Sequence, residues 1–199
     1  MRLRAFHDGQ RRRARVALRL MGIVSRTAPD PVARMILYRP ELFGRPFVRL
    51  LRSVMRGRSQ WSESERELIA AHVSRLNTCP FCAGVHSELA SMLTGRTRAD
   101  QLDRWRDGEF GDRLTATFAL LERVTLHPDE VGASDVARVR AAGVPDAAIE
   151  DALYVCFLFD TVNRLANAFD FHWDTDADRM RLAAGLKRGG YRLPGYLVR

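Results

Sequence analysis

Apolar residues in this chain recur every three or four positions, and no convincing run alternates with a period of two. A helix-period pattern cannot settle as a strand, because a strand turns successive side chains to opposite faces. The expected fold class is therefore all-α. An Arg-rich, weakly amphipathic segment over about 3–24 leads to a breaker at Ala28-Pro29-Asp30-Pro31. A helix from Pro40 to Gly57 is expected to bury Leu42, Phe43, Phe47, Leu50, Leu51 and Val54. Ser62-Glu63-Ser64-Glu65 is a capping box that opens a helix to about Asn77. Cys79 or Thr78 should cap the next, which Gly95 ends. Further helices are expected at about 98–106, 112–126, from Ser134 to Gly143, from Pro145 through Phe169, and from Thr175 to about Gly189. In domain terms, residues 1–30 read as an Arg-rich N-terminal extension and 31–199 as one helical domain.

The 199 residues are 46% hydrophobic and 28% charged, an ordinary balance for a buried core. No apolar stretch approaches the ~20 residues of a membrane span. The apolar segment 14–24 is interrupted by Arg15 and Arg19 and makes a poor signal peptide. Three cysteines are too few for a secreted disulfide scaffold, and a lone Cys-x-x-Cys suits a reducing compartment. A cytoplasmic protein is expected. Charge is unevenly spread: residues 1–60 hold fifteen arginines against Asp8, Asp30 and Glu41, a net +12, and the remainder is −4. Without aromatic interleaving or a binding motif, this reads as a solvated amphipathic surface, and a nucleic-acid partner is not expected.

The chemistry-bearing stretch is Thr78-Cys79-Pro80-Phe81-Cys82-Ala83-Gly84-Val85-His86, with Glu67 twelve residues before Cys79. Two cysteines at this spacing can close a disulfide across one helical turn, and His86 lies one turn further on the same face. Cys82 in the first turn of a helix meets unpaired amides and the positive end of the helix dipole. A hairpin at Asn77-Thr78 would bring the Glu67 carboxylate to His86 and fix its tautomer. Lowering a thiol pKa from ~8.5 to ~6.5 gives roughly 25-fold more thiolate at pH 7, while the weaker nucleophile loses about 8-fold. The net gain is only about 3-fold, against ~10²–10⁴-fold for a positioned acid–base group. The expected catalytic weight therefore falls on His86 and Glu67, with Cys82 attacking a peroxide and Cys79 closing the disulfide. An external dithiol must reopen it, since nothing resembles a flavin or nicotinamide site and no resident cofactor is expected. The four side chains could instead ligate zinc, although no second ligand pair is visible. Cys156 and His72 read as packing residues.

At these residues the chain resembles the alkylhydroperoxidase D-like, peroxidase-related group of the carboxymuconolactone decarboxylase superfamily. The likeness rests on Glu67-x11-Cys79-x2-Cys82-x3-His86. It extends to Arg39-Pro40-Glu41-Leu42, to Ala141 through Ile149 and to Asn163-Arg164-Leu165-Ala166, covering about residues 35–172. It implies an all-helical homo-oligomer, often a trimer or a multiple of one. It also implies peroxidase activity on a hydroperoxide, with Cys82 peroxidatic and Cys79 resolving; no metal is expected. A lipoyl-bearing or thioredoxin-like partner would be the reductant. The best-studied type of member carries a second histidine just before its second cysteine, where this chain has Phe81, so the implied relay is one group shorter. Two other readings are a redox-responsive interaction module without turnover and a cysteine-independent decarboxylase or lyase.

Overall fold

The computed structural model describes residues 1–25, 29–95 and 100–192, which hold α-helices, short 3-10 helices and no strand. In chain order the helices are α1 (Ala5–Asp8), α2 (Arg12–Ser25), α3 (Pro31–Tyr38), α4 (Pro40–Phe43), α5 (Arg45–Arg56) and α6 (Glu63–Leu76). They continue as α7 (Pro80–Thr94), α8 (Gly111–Leu126), α9 (Ala133–Ala141), α10 (Asp146–Phe169) and α11 (Asp176–Gly189), with 3-10 turns at Asp100–Asp107 and Pro128–Glu130. Residues 98–99 of the helix expected at 98–106, Ala28 of the breaker and residues 193–199 of the expected domain lie outside the described residues. No described helix is long and apolar enough to cross a membrane.

Local chemistry sets most boundaries. Ser62 accepts the Glu65 amide at 3.2 Å while the Glu65 carboxylate accepts the Ser62 amide at 2.7 Å, closing the capping box of α6. Gly95, at φ 68°, ends α7 in the left-handed region. Two expectations fail. The supposed breaker starts a helix, because Asp30 accepts the Ala33 amide at 2.9 Å and Pro31 fills the first helical position. The helix expected from Pro40 to Gly57 is two helices. Pro46 lacks an amide hydrogen and crowds the carbonyl of Leu42, so the chain breaks at Gly44. The resulting register leaves Leu42 and Leu50 exposed and turns Val48 and Met55 inward.

The core forms where α6, α8 and α10 meet, around Ile69, Val73, Phe118, Leu121, Val155 and Phe159. His72 belongs to it. The ring stacks on Phe118 at 4.4 Å and Nε2 lies 3.1 Å from the Phe118 carbonyl, which a neutral Nε2–H tautomer satisfies. Cys156 is likewise buried core, its thiol pushed up to about 12 chiefly by burial. The N-terminal helices pack onto this body: Phe6 sits edge-on to Tyr38 and Phe169, and Ala14, Ala17 and Leu18 are buried against Ile36, Leu37 and Val48.

Between α6 and α7 the chain reverses in three residues. The Thr78 amide donates to the Arg75 carbonyl at 2.9 Å and the Cys79 amide to Ser74 at 2.8 Å, the double bond of a Schellman stop. That motif needs a left-handed residue, and here it is Thr78 at φ 50°. A β-branched side chain in this region is strained by about 1–2 kcal/mol. The turn is held from outside, Asn77 donating to Asp160 at 2.7 Å and Asn167 to the Asn77 carbonyl at 2.9 Å.

Replacing Thr78 by Gly should relieve that strain, stabilising the fold by about 1 kcal/mol and raising the melting temperature by about 2–4 °C. A calorimetric scan that shows a lower melting point would contradict the assignment of strain. Burial lowers the His72 pKa from its usual 6.5 to about 4, so unfolding frees it to take a proton. Its contribution is complete above pH 6.5 and disappears as pH falls through 4, about 3 kcal/mol in all. Urea unfolding across that window should show the loss, and His72→Phe should flatten it.

Candidate active site

Glu67 lies in the second turn of α6 with no exposed surface. A carboxylate in that position must be compensated or protonated. Burial pushes its pKa up, but the His86 bond and the Arg56 guanidinium outweigh this and hold it below the ordinary carboxylate range. His86 Nδ1 is 2.6 Å from Oε2 and, with Glu67 ionised, donates to it. Arg56, the last residue of α5, reaches Oε1 at 2.7 Å as a charge contact rather than an aligned hydrogen bond, and Glu63 at 3.2 Å. The Tyr191 hydroxyl donates to both carboxylate oxygens at 2.9 and 3.0 Å. Burial, then the Glu67 charge, pushes the Tyr191 hydroxyl well above its usual range, so it stays a donor.

The imidazole is thereby fixed. Nδ1 is committed to Glu67, and Phe159 packs edge-on against the ring at 4.5 Å. Nε2 is the nitrogen left to exchange a proton.

Cys79 is the N-cap residue of α7 and Cys82 falls in its first turn; both thiols are free and almost fully buried. The Cys82 thiol donates to Cys79, and the free amides of Phe81 and Cys82 favour charge on the Cys79 sulfur without forming a full side-chain cap. Against burial, these hold the Cys79 pKa down. Cys82 is pushed well up by that same bond, by burial and by the neighbouring negative charge. The resting charge thus favours Cys79, opposite to the preference that the first-turn position alone suggests. Access favours the other sulfur. Cys82 and His86 line a cavity of about 1100 Å³, and Cys79 does not.

Asn163 supports the hairpin from α10. Its Oδ1 accepts the Ser74 hydroxyl at 3.2 Å, and the Ser74 carbonyl in turn takes the Cys79 amide. Among the described residues, no three His, Cys, Asp or Glu side chains are arranged to hold a metal ion.

The carboxymuconolactone decarboxylase family model matches residues 41–122, the span that carries Arg56, Glu67, both thiols and His86. Two solved structures share the fold. A peroxidase-related protein from Silicibacter sp. TM1040 is 23% identical at a TM-score of 0.71, covering 84% of this chain and 87% of that one. An alkylhydroperoxidase AhpD core, a peroxidase-related protein from Ralstonia eutropha JMP134, is 20% identical at 0.73, covering 86% and 90%. No curated protein matches the chain.

Phe81 is a packing residue. It stacks on Trp173 at 4.1 Å, and the Trp173 indole donates to its carbonyl at 3.1 Å. The hydroxyl on Glu67 comes from Tyr191, which sequence reasoning missed, as it missed Arg56. Their only local signals are weak: Arg56 precedes the Gly57 stop, and Tyr191 follows Gly189-Gly190. Gly190 and Tyr191 are both left-handed, at φ 58° and 62°, folding the chain back over Arg56 and Glu67.

Arg56→Met leaves the Glu67 carboxylate short of a cation and should cost about 3–5 kcal/mol in denaturant unfolding. Adding Glu67→Gln should restore part of that loss. A double variant less stable than Arg56→Met would show that the guanidinium serves packing rather than charge.

Proposed function

We propose that this chain is a thiol-dependent peroxidase that reduces hydroperoxides through Cys82 and Cys79, with His86 and Glu67 delivering the proton. The observation that carries the reading is the convergence of Cys82 and His86 on one cavity, with Glu67 held 2.6 Å behind the ring. As the Cys82 sulfur attacks the outer peroxide oxygen, its proton passes to His86 Nε2, forming an imidazolium against the Glu67 carboxylate. The O–O bond breaks, and the inner oxygen leaves as an alkoxide that takes this same proton back from the Nε2 of the imidazolium, leaving His86 neutral with Nδ1–H still on Glu67. The products are a Cys82 sulfenic acid and an alcohol, or water when hydrogen peroxide is the oxidant. Cys79 then attacks that sulfur, the S–S bond forms, and the hydroxyl departs with the Cys79 proton as water. An external dithiol, lipoyl-bearing or thioredoxin-like, supplies two electrons and two protons to reopen the disulfide.

Under this mechanism a depressed pKa on the attacking sulfur is unnecessary, because His86 takes its proton as the sulfur attacks. Tyr191 steadies the Glu67 charge while the imidazolium forms and is spent. The proposal includes a cytoplasmic homo-oligomer, for which the exposed Tyr154 and Phe157 on α10 offer an apolar face that suits a second copy.

Consumption of an alkyl hydroperoxide beside a dithiol tests the reading. Cys82→Ser and Cys79→Ser should both abolish turnover, and His86→Ala should slow it by ~10²–10⁴-fold. Sulfenic acid should be trapped in Cys79→Ser and not in Cys82→Ser; the opposite pattern would exchange the two roles. Turnover that survives both serine substitutions would point to cysteine-independent chemistry.

A further inference from the structure

We propose that the substrate is an organic hydroperoxide with a long apolar chain and an anionic head group, held in the cavity between α11 and the N-terminal helices. The proposal rests on the peroxidase reading and extends it to substrate class. A hydrogen peroxide molecule fills about the space of two waters, ~60 Å³. The cavity, at about 1100 Å³, slightly exceeds the ~300–1,000 Å³ typical of pockets for drug-sized ligands. A small peroxide leaves nearly all of it to water.

The inner walls are largely apolar. Val85 on α7, Val162 on α10 and Leu182 and Leu186 on α11 face Val48 and Leu51 on α5. The reacting groups, Cys82, His86 and Tyr191, line the same space. Each methylene moved from water into such walls strengthens binding by up to about 4-fold. The chain therefore supplies affinity that the peroxide group cannot.

At the α2 side the lining changes character. Val16 and Leu20 line the cavity and are each 57% exposed, although the other face of α2 is buried through Ala14, Ala17 and Leu18. Arg12 and Arg13, one turn earlier and also on the lining, are exposed and make no ion pair with any described residue. The acids on this rim are already engaged. Asp30 accepts the Ala33 amide, Asp178 accepts the Thr175 hydroxyl and faces Arg181 at 3.7 Å, and Asp174 lies 3.8 Å from His172. Two free guanidiniums beside exposed aliphatic side chains suit the end of an amphiphile that carries a carboxylate.

The test is single-turnover oxidation of the reduced full chain without dithiol, following loss of free thiol after rapid mixing. Linoleic acid hydroperoxide, its methyl ester and tert-butyl hydroperoxide are compared below micelle-forming concentrations. The long-chain acid should react at least about 10-fold faster than tert-butyl hydroperoxide. Arg12→Ala with Arg13→Ala should reduce the preference for the acid over its ester by about 5-fold. Leu20→Asp should reduce the preference for both long-chain compounds over tert-butyl hydroperoxide. Equal rates for the acid and tert-butyl hydroperoxide would overturn the substrate class and leave the peroxidase reading standing. An acid-to-ester ratio unmoved by the arginine variant would overturn the anionic head group. If no hydroperoxide oxidises the thiols, the peroxidase reading falls and this assignment with it.

Discussion

A single buried negative charge organises this structure. Glu67 has no exposed surface, and an uncompensated carboxylate in the interior costs several kcal/mol. Its oxygens gather Arg56 from α5, His86 from α7 and Tyr191 from beyond α11. Three separate pieces of chain are thus drawn to one point on α6. The same charge that must be neutralised for folding fixes the tautomer of His86 and frees its other nitrogen. Stability and chemistry therefore depend on the same contacts.

The second constraint is the tight reversal at Asn77-Thr78. A loop of ordinary length would let α7 slide along α6 and separate His86 from Glu67. A left-handed threonine instead fixes the first turn of α7, and the amide of Cys79 is anchored to Ser74, itself bonded to Asn163. The two sulfurs then sit side by side in unlike surroundings. Cys79 faces helix amides, and Cys82 faces a closed apolar wall and the cavity. Position along a helix predicts the field of the amides, but the hydrogen bond between the two sulfurs, and then burial, outweigh it at Cys82.

What the sequence reveals follows the range of each interaction. Capping at Ser62, the stop at Gly95 and the helix from Pro145 are contacts among neighbours in sequence, and they were legible. Asp30-Pro31 was also local, yet it read as a breaker because the same residues interrupt one helix and begin the next. The split at Gly44 follows from Pro46, whose effect falls on the carbonyl four residues earlier. Arg56 and Tyr191 carried no pattern, because each meets Glu67 across 11 and 124 residues respectively. The cavity was invisible for the same reason: α2, α5, α7, α10 and α11 each supply only a strip of its wall.

Tyr191 has a consequence for biosynthesis. Its hydroxyl reaches Glu67 only after α11 has docked on α7 and the chain has doubled back through Gly190. A nascent chain still held at that point has both thiols and the imidazole but an unfinished proton circuit. Completion of the arrangement around Glu67 therefore waits for α11 to fold, however early the two thiols and the imidazole are made.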